Sequence, residues 1–221
     1  QVTDYLSKEL NTTFHIGKVD ILFFNKVSLD DVLVLDLKKD TIASIGSAFI
    51  TLKSFSQSKN LVALKEVNLK EGVIKISREK ETGDYNYGFI VDYFATDKPK
   101  TAKKPMTVTL DDIRLARVNF HYDDYRKDYS PFGMDYDHLK FKNIYLFAEG
   151  LSTDKGISVF IKHISFREKG GFELNKFSTA VNISGEGLKL KRLHIVTPYS
   201  QLYLPKMNML MNEMSDFQSF E

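Results

Sequence analysis

Two stretches of this chain carry the same apolar spacing. Leu64-Lys-Glu-Val67-Asn-Leu69 runs into Gly72-Val-Ile74-Lys-Ile76, and Leu110-Asp-Asp-Ile113-Arg-Leu115 runs into Val118-Asn-Phe120-His-Tyr122 with identical spacing. Leu29-Asp-Asp-Val32-Leu-Val34, Phe141-Lys-Asn-Ile144-Tyr-Leu146 and Leu190-Lys-Arg-Leu193-His-Ile195 repeat the first half. The shared pattern is apolar, two polar, apolar, any, apolar. Side chains alternate between the two faces of a strand, so a three-residue step shifts the alternation once. That shift requires a bulge or a tight turn at the polar pair. The copies are unevenly spaced, which excludes a strict solenoid. The pattern predicts one strand-and-turn unit reused along an extending sheet.

The rest of the chain fits a mainly β protein. Period-two alternation runs through Phe14 and Ile16, Val19 and Ile21, Val32 and Val34, Phe49, Thr51 and Lys53, and Ile157, Val159 and Ile161. Turn signals stand at Asn25-Lys26, Lys38-Lys39-Asp40, Gly83-Asp84, Ser130-Pro131, Gly170-Gly171 and Gly185-Glu-Gly187. The 17 Phe and 11 Tyr favour strands, and 43% hydrophobic residues are enough to build a core. Two segments depart from the strand rhythm. Val2, Tyr5, Leu6 and Leu10 have helical spacing, and Tyr87 to Ala95 packs Phe89, Ile90, Tyr93 and Phe94 into one or two helical turns. The expected organisation is therefore a helix over 1–12 following a missing anchor and a first β segment over 13–95. A lysine-rich linker over 96–105 and a second β segment over 106–221, continuous with the first, complete it.

Composition and motifs narrow the function. Lys plus Arg is 31 against 29 Asp plus Glu, a formal charge of +2, so no nucleic-acid partner is expected. With no cysteine, thiol nucleophiles, disulfides and zinc thiolate sites are excluded. No apolar run approaches the ~20 residues that span a bilayer. The carboxylate pairs Asp30-Asp31 and Asp111-Asp112 occupy a slot where other copies carry Lys65-Glu66 or Lys191-Arg192, as a solvated turn tolerates. Asp123-Asp124 is read the same way. The run from His121 to His138 gathers possible oxygen ligands, yet lacks the acid-and-glycine order of a calcium loop, and reads as a tyrosine-rich exposed hairpin. His15, His163 and His194 alternate with apolar residues and read as outward-facing. No nucleophile elbow or phosphate-cradling glycine loop is present. The chain is expected to be no enzyme and to carry no cofactor or metal. Lys98, Lys100, Lys103 and Lys104 read as a solvated linker rather than a headgroup-binding patch.

Several segments resemble the N-terminal region of TamB and AsmA-like envelope proteins. Tyr5-Leu-Ser-Lys-Glu-Leu-Asn-Thr13 followed by Ile16-Gly-Lys-Val-Asp-Ile21 is similar to that family's first helix and strand. Lys39-Asp-Thr-Ile42 leading into Ala48-Phe-Ile-Thr-Leu52 resembles its next strand, and Leu64 to Ile76 its recurring strand signature. Ser215 to Phe220 resembles the short segment after the strands. The resemblance implies a curved antiparallel sheet forming an open groove, the β-taco, whose apolar concave face holds phospholipid acyl chains. It implies a periplasmic conduit anchored in the inner membrane through an absent N-terminal anchor. Such a conduit supports phospholipid transport to the outer membrane and outer-membrane biogenesis, with an outer-membrane β-barrel as partner of missing C-terminal parts.

The groove candidates are the apolar positions of the repeat and its neighbours. From the first half come Val67, Leu69, Ile74 and Ile76, and from the second Val108, Leu110, Ile113, Leu115 and Phe120. Ile144, Leu146, Leu193 and Ile195 follow from the shorter copies. Met207, Met209 and Met211 alternate with other residues, as either an adaptable lipid-facing stripe or a plain core strand would have them. The competing readings are a closed lipocalin-like small-molecule carrier and a non-lipid structural or adhesion scaffold filled by its own side chains.

Overall fold

The computed structural model describes residues 12–22, 25–56, 58, 60–90 and 107–210. Ten strands fill nearly all of this: β1 (Phe14–Ile21), β2 (Lys26–Leu35), β3 (Thr41–Ser56), β4 (Leu61–Arg78), β5 (Thr107–Asp124), β6 (His138–Ser152), β7 (Ile157–Glu168), β8 (Glu173–Ser184), β9 (Gly187–Val196) and β10 (Gln201–Met209). They form a single sheet in which spatial order equals sequence order, and the sheet does not close. Among the described residues, strands approach only their immediate neighbours in this order. The expected N-terminal helix and the lysine-rich linker lie outside the described residues. The second expected helix is described only at its start, a helical turn at Gly88–Ile90.

The sheet is mixed, not antiparallel throughout. Eight of its junctions are antiparallel, but β4 and β5 run parallel. The repeat explains this correction. Leu64 pairs with Leu110, Val67 with Ile113, Leu69 with Leu115, Ile74 with Phe120 and Ile76 with Tyr122. Two segments with identical apolar spacing match row for row only when they run in the same direction. A parallel pair needs a long connection, and 28 residues separate Arg78 from Thr107 in the sequence.

The repeat is also not a strand-and-turn unit. Each full copy lies inside one long strand, and the phase shifts are bulges. Ile50 and Leu52, two apart in β3, face Val67 and Leu64, so Lys65 has no partner on β3. Further shifts fall beside the positive-φ residues Arg117 (55°), Asn143 (53°) and Arg192 (57°), while Asp31 (54°) and Glu71 (54°) take the same conformation with the register unbroken. Three of these close the polar pair of a short copy, at Asp31, Asn143 and Arg192. The other two, Glu71 and Arg117, separate the halves of the full copies and stand side by side, joined as an ion pair. The polar pairs Lys65-Glu66, Lys142-Asn143 and Lys191-Arg192 are therefore bulges within strands, whereas Asp30-Asp31 and Asp111-Asp112 keep the register.

The hairpins follow the expected turn chemistry. Asp36 is buried, and its Oδ1 accepts from the N–H groups of Lys38 and Asp40, both at 2.8 Å, while Lys39 takes φ 71°. The β5–β6 loop is the tyrosine-rich one, with Tyr129, Phe132 and Tyr136 exposed. Its base departs from the solvated reading of the acidic pairs. Asp124 is only 3% exposed and grips Arg126 through Nε at 2.8 Å and Nη2 at 2.6 Å. His138 is buried beneath the stacked ring of Tyr129, with Nδ1 3.1 Å from Asp135 Oδ2.

This ion pair gives the fold an acid limit. The Arg126 guanidinium holds the Asp124 carboxyl down to about 2, below its ordinary 3.8. A depressed folded-state value means that the contribution, ~1–2 kcal/mol, is complete above an unfolded-state value of about 3.9 and lost as pH falls toward 2. Acid titration followed by circular dichroism is expected to lose this part of the stability between those values. Asp124→Asn should remove that pH dependence and lower stability at neutral pH; an unchanged acid profile would show that the pair contributes nothing.

Candidate functional site: an apolar sheet face

Cross-strand partners share a face of the sheet, so register alone shows how side chains are distributed. One row crosses all ten strands: Val19, Leu29, Ala48, Leu69, Leu115, Leu146, Ile164, Phe177, Ile195 and Leu202. Every member is apolar. A second row runs Ile21, Val27, Ile50, Val67, Ile113, Ala148 and Ile161, then ends on Thr179, which is fully buried and donates its hydroxyl to the Lys191 carbonyl at 3.1 Å. Beyond the left-handed Asp31, Glu71 and Arg117, Ile16, Val32, Ile45, Gly72, Val118 and Ile144 form a third.

The opposite face has another chemistry. One of its rows reads Lys18, Asp30, Ser47, Lys70, Ala116, Tyr145 and Ser165. Another reads Ser28, Phe49, Asn68, Arg114, Phe147 and His163. Its rings are capped by cations: Arg114 lies 4.7 Å and Lys162 5.0 Å from the centre of Phe147, and Lys26 5.7 Å from that of Phe49. Capped in this way, an aromatic ring is compatible with water. His163 bonds Ser165 Oγ at 3.0 Å and His194 bonds Gln201 Nε2 at 2.8 Å, so both serve local polar contacts.

The structure brings most of the groove candidates together. Leu69, Leu115, Leu146 and Ile195 belong to the ten-strand row, and Val67 and Ile113 to its neighbour. Ile144 pairs with Val118, Ile74 with Phe120, and Ile76 with Tyr122. Leu110 meets Leu64 and Leu151; Val108, two residues before it, pairs with Val62. Leu193 faces Leu204, Met207 faces Leu190 and Met209 faces Leu188. Met211 lies outside the described residues. Sequence reasoning left out Val19, Leu29, Ala48, Ile164, Phe177 and Leu202 as members of the face. Their signal was register, which single-strand periodicity does not contain.

Burial varies along the face. Around β8–β10, Leu188, Leu190 and Leu193 are buried, with Phe177, Val181, Ile183 and Leu204 packed against them. Across the middle, Leu69, Leu115, Leu146 and Ile164 remain half-buried, and at the two edges Val19 and Leu202 are 52% and 46% exposed. Among the described residues no second layer covers this surface, and no helix is long and apolar enough to cross a membrane. A ten-strand apolar face half in contact with water demands a cover. No protein-family model matches the chain, and no curated protein matches it.

Proposed function

We propose that the chain is a lipid-binding segment of a TamB/AsmA-like envelope protein, and that its apolar face holds phospholipid acyl chains. The observation that carries this reading is the ten-residue apolar row, backed by a polar face and left uncovered among the described residues. Acyl chains suit such a surface because each buried methylene contributes about 0.8 kcal/mol and requires no hydrogen-bonding partner. Bulges bend strands and increase local twist, so their run from β5 to β9 favours a sheet curved about its apolar side, with that side forming the groove. An open sheet leaves an edge free for further strands, as a conduit between two membranes requires and a closed carrier does not. In this reading the segment works in the periplasm, supplied with phospholipid at the inner membrane and passing it toward the outer one.

The experiment is native mass spectrometry of the purified chain, with solvent extraction of whatever accompanies it. Co-purifying phospholipid, displaceable by excess free fatty acid, is the expected result. A homogeneous lipid-free mass that stays unchanged after incubation with phospholipid vesicles would overturn the reading. One observation favours a different role for the last three strands. The buried Leu188, Leu190 and Leu193 cluster is already filled by its own side chains, as a structural scaffold would have it. Lipid contacts should therefore map to β2–β7 by photo-crosslinking.

A further inference from the structure

One acidic residue interrupts the apolar face. The row Phe14, Val34, Ala43, Ile74, Phe120 and Phe141 ends on Glu168 of β7, directly opposite Phe141. Glu168 is only 6% exposed. Its Oε2 accepts from the Gly170 N–H, and Oε1 lies 3.5 Å from the Lys140 N–H. Among the described residues no lysine or arginine forms an ion pair with it. Lys169, next in sequence, instead holds its ammonium over the Tyr129 ring.

Aromatic rings surround this carboxylate. Phe141 and Phe166 stand with centroids 4.3 Å apart, and Phe172 lies 6.2 Å beyond Phe166. Together with Met134 and Tyr136 they line a cavity of about 580 Å³, with Glu168 in the wall. The floor is tight. A Cβ on Gly170 would come within 2.6 Å of the Gly133 carbonyl oxygen and 2.8 Å of Glu168 Oε2, so the β5–β6 loop and the β7–β8 turn meet there without room for a side chain.

A carboxylate taken out of water needs a counter-charge. Ring faces attract cations and repel anions. Both features select one chemistry, a compact organic cation. The volume falls within the ~300–1,000 Å³ of small-ligand sites. We propose that this aromatic cup binds an alkylammonium group, with Glu168 as its counter-charge, and that the ammonium is the amine of a zwitterionic phospholipid headgroup. The last clause rests on the lipid reading above: an acyl chain lying along the row that ends at Glu168 carries its headgroup into the cup.

The test compares three probes on the full chain by isothermal titration. Dodecyltrimethylammonium below its micelle concentration offers a chain and a cation, dodecyl maltoside the chain alone, and tetramethylammonium the cation alone. The expected result is that dodecyltrimethylammonium binds about tenfold more tightly than dodecyl maltoside, and that Glu168→Gln reduces the ratio to near one. Phe172→Ala, at a rim position 39% exposed, should weaken the same preference severalfold without moving the melting temperature, and it carries the test if Glu168→Gln does not fold. Equal binding of the two dodecyl probes by wild type would overturn the cup and leave the acyl-binding face standing. A cation preference that survives both substitutions would also overturn it. Tetramethylammonium binding that depends on Glu168, with no binding of dodecyl maltoside, would uphold the cup as an ammonium site and remove the lipid.

Discussion

Leu115→Asp is expected to leave the sheet folded and to reduce acyl-chain capture at least tenfold. Leu115 sits on β5 midway along the ten-strand row, between Leu69 on one side and Leu146 on the other. It is half-buried, so a carboxylate there can reach water without leaving the face. The loss of apolar burial should cost about 2 kcal/mol, a drop in melting temperature of roughly 4–8 °C for a chain of this size. An acyl chain laid along the row would have to pass over that charge, which is why capture fails while the fold persists. Val118→Asp is the contrast. Val118 is 1% exposed, and an unpaired charge at that position costs several kcal/mol, enough to prevent folding. Thermal melting together with lipid extraction reads both variants. A folded Leu115→Asp chain with undiminished lipid would remove this face from the proposed function. A Leu115→Asp chain as unfolded as Val118→Asp would identify the face as an ordinary dry core.

Gly72→Ala is expected to destabilise the sheet by about 3 kcal/mol, a large effect for one methyl group. Gly72 follows the left-handed Glu71 on β4 and pairs with Ile45 on β3. A Cβ there would lie 2.5 Å from the Ser44 carbonyl oxygen, 2.6 Å from Ile45 Cδ1 and 3.0 Å from Ile45 Cα. Two of these three atoms belong to backbone, so relief requires β3 and β4 to part. The row through Ile16, Val32, Ile45, Gly72, Val118 and Ile144 would be interrupted beside the left-handed Glu71. Gly185→Ala is the control, since nothing lies within 4 Å of a Cβ there. Urea melts should separate the two glycines clearly. Equal stability of both variants would show that β3 and β4 are not held at this spacing.

The amino-acid sequence by itself determined that the chain is built of strands, where most of them turn, and which side chains are apolar partners. Alternation and turn residues are local properties, and a period of two has one physical meaning. The identical spacing of Leu64 to Ile76 and Leu110 to Tyr122 was also legible. Its consequence was not, because spacing carries no direction: only pairing shows that the two copies lie parallel and in register. The same limit applies to the polar pairs. A three-residue step demands a phase change, but a bulge and a turn satisfy it equally. The decision for bulges comes from the neighbouring strand, which holds Leu64 and Val67 opposite Leu52 and Ile50. Asp124 looked like its solvated counterparts until the loop folded Arg126 over it. Glu168 and its three phenylalanines lie on β6, β7 and the turn that follows, and of the four only Phe141 belongs to a copy of the repeat. Their convergence depends on register and on a turn closing against a loop, which only the tertiary structure supplies.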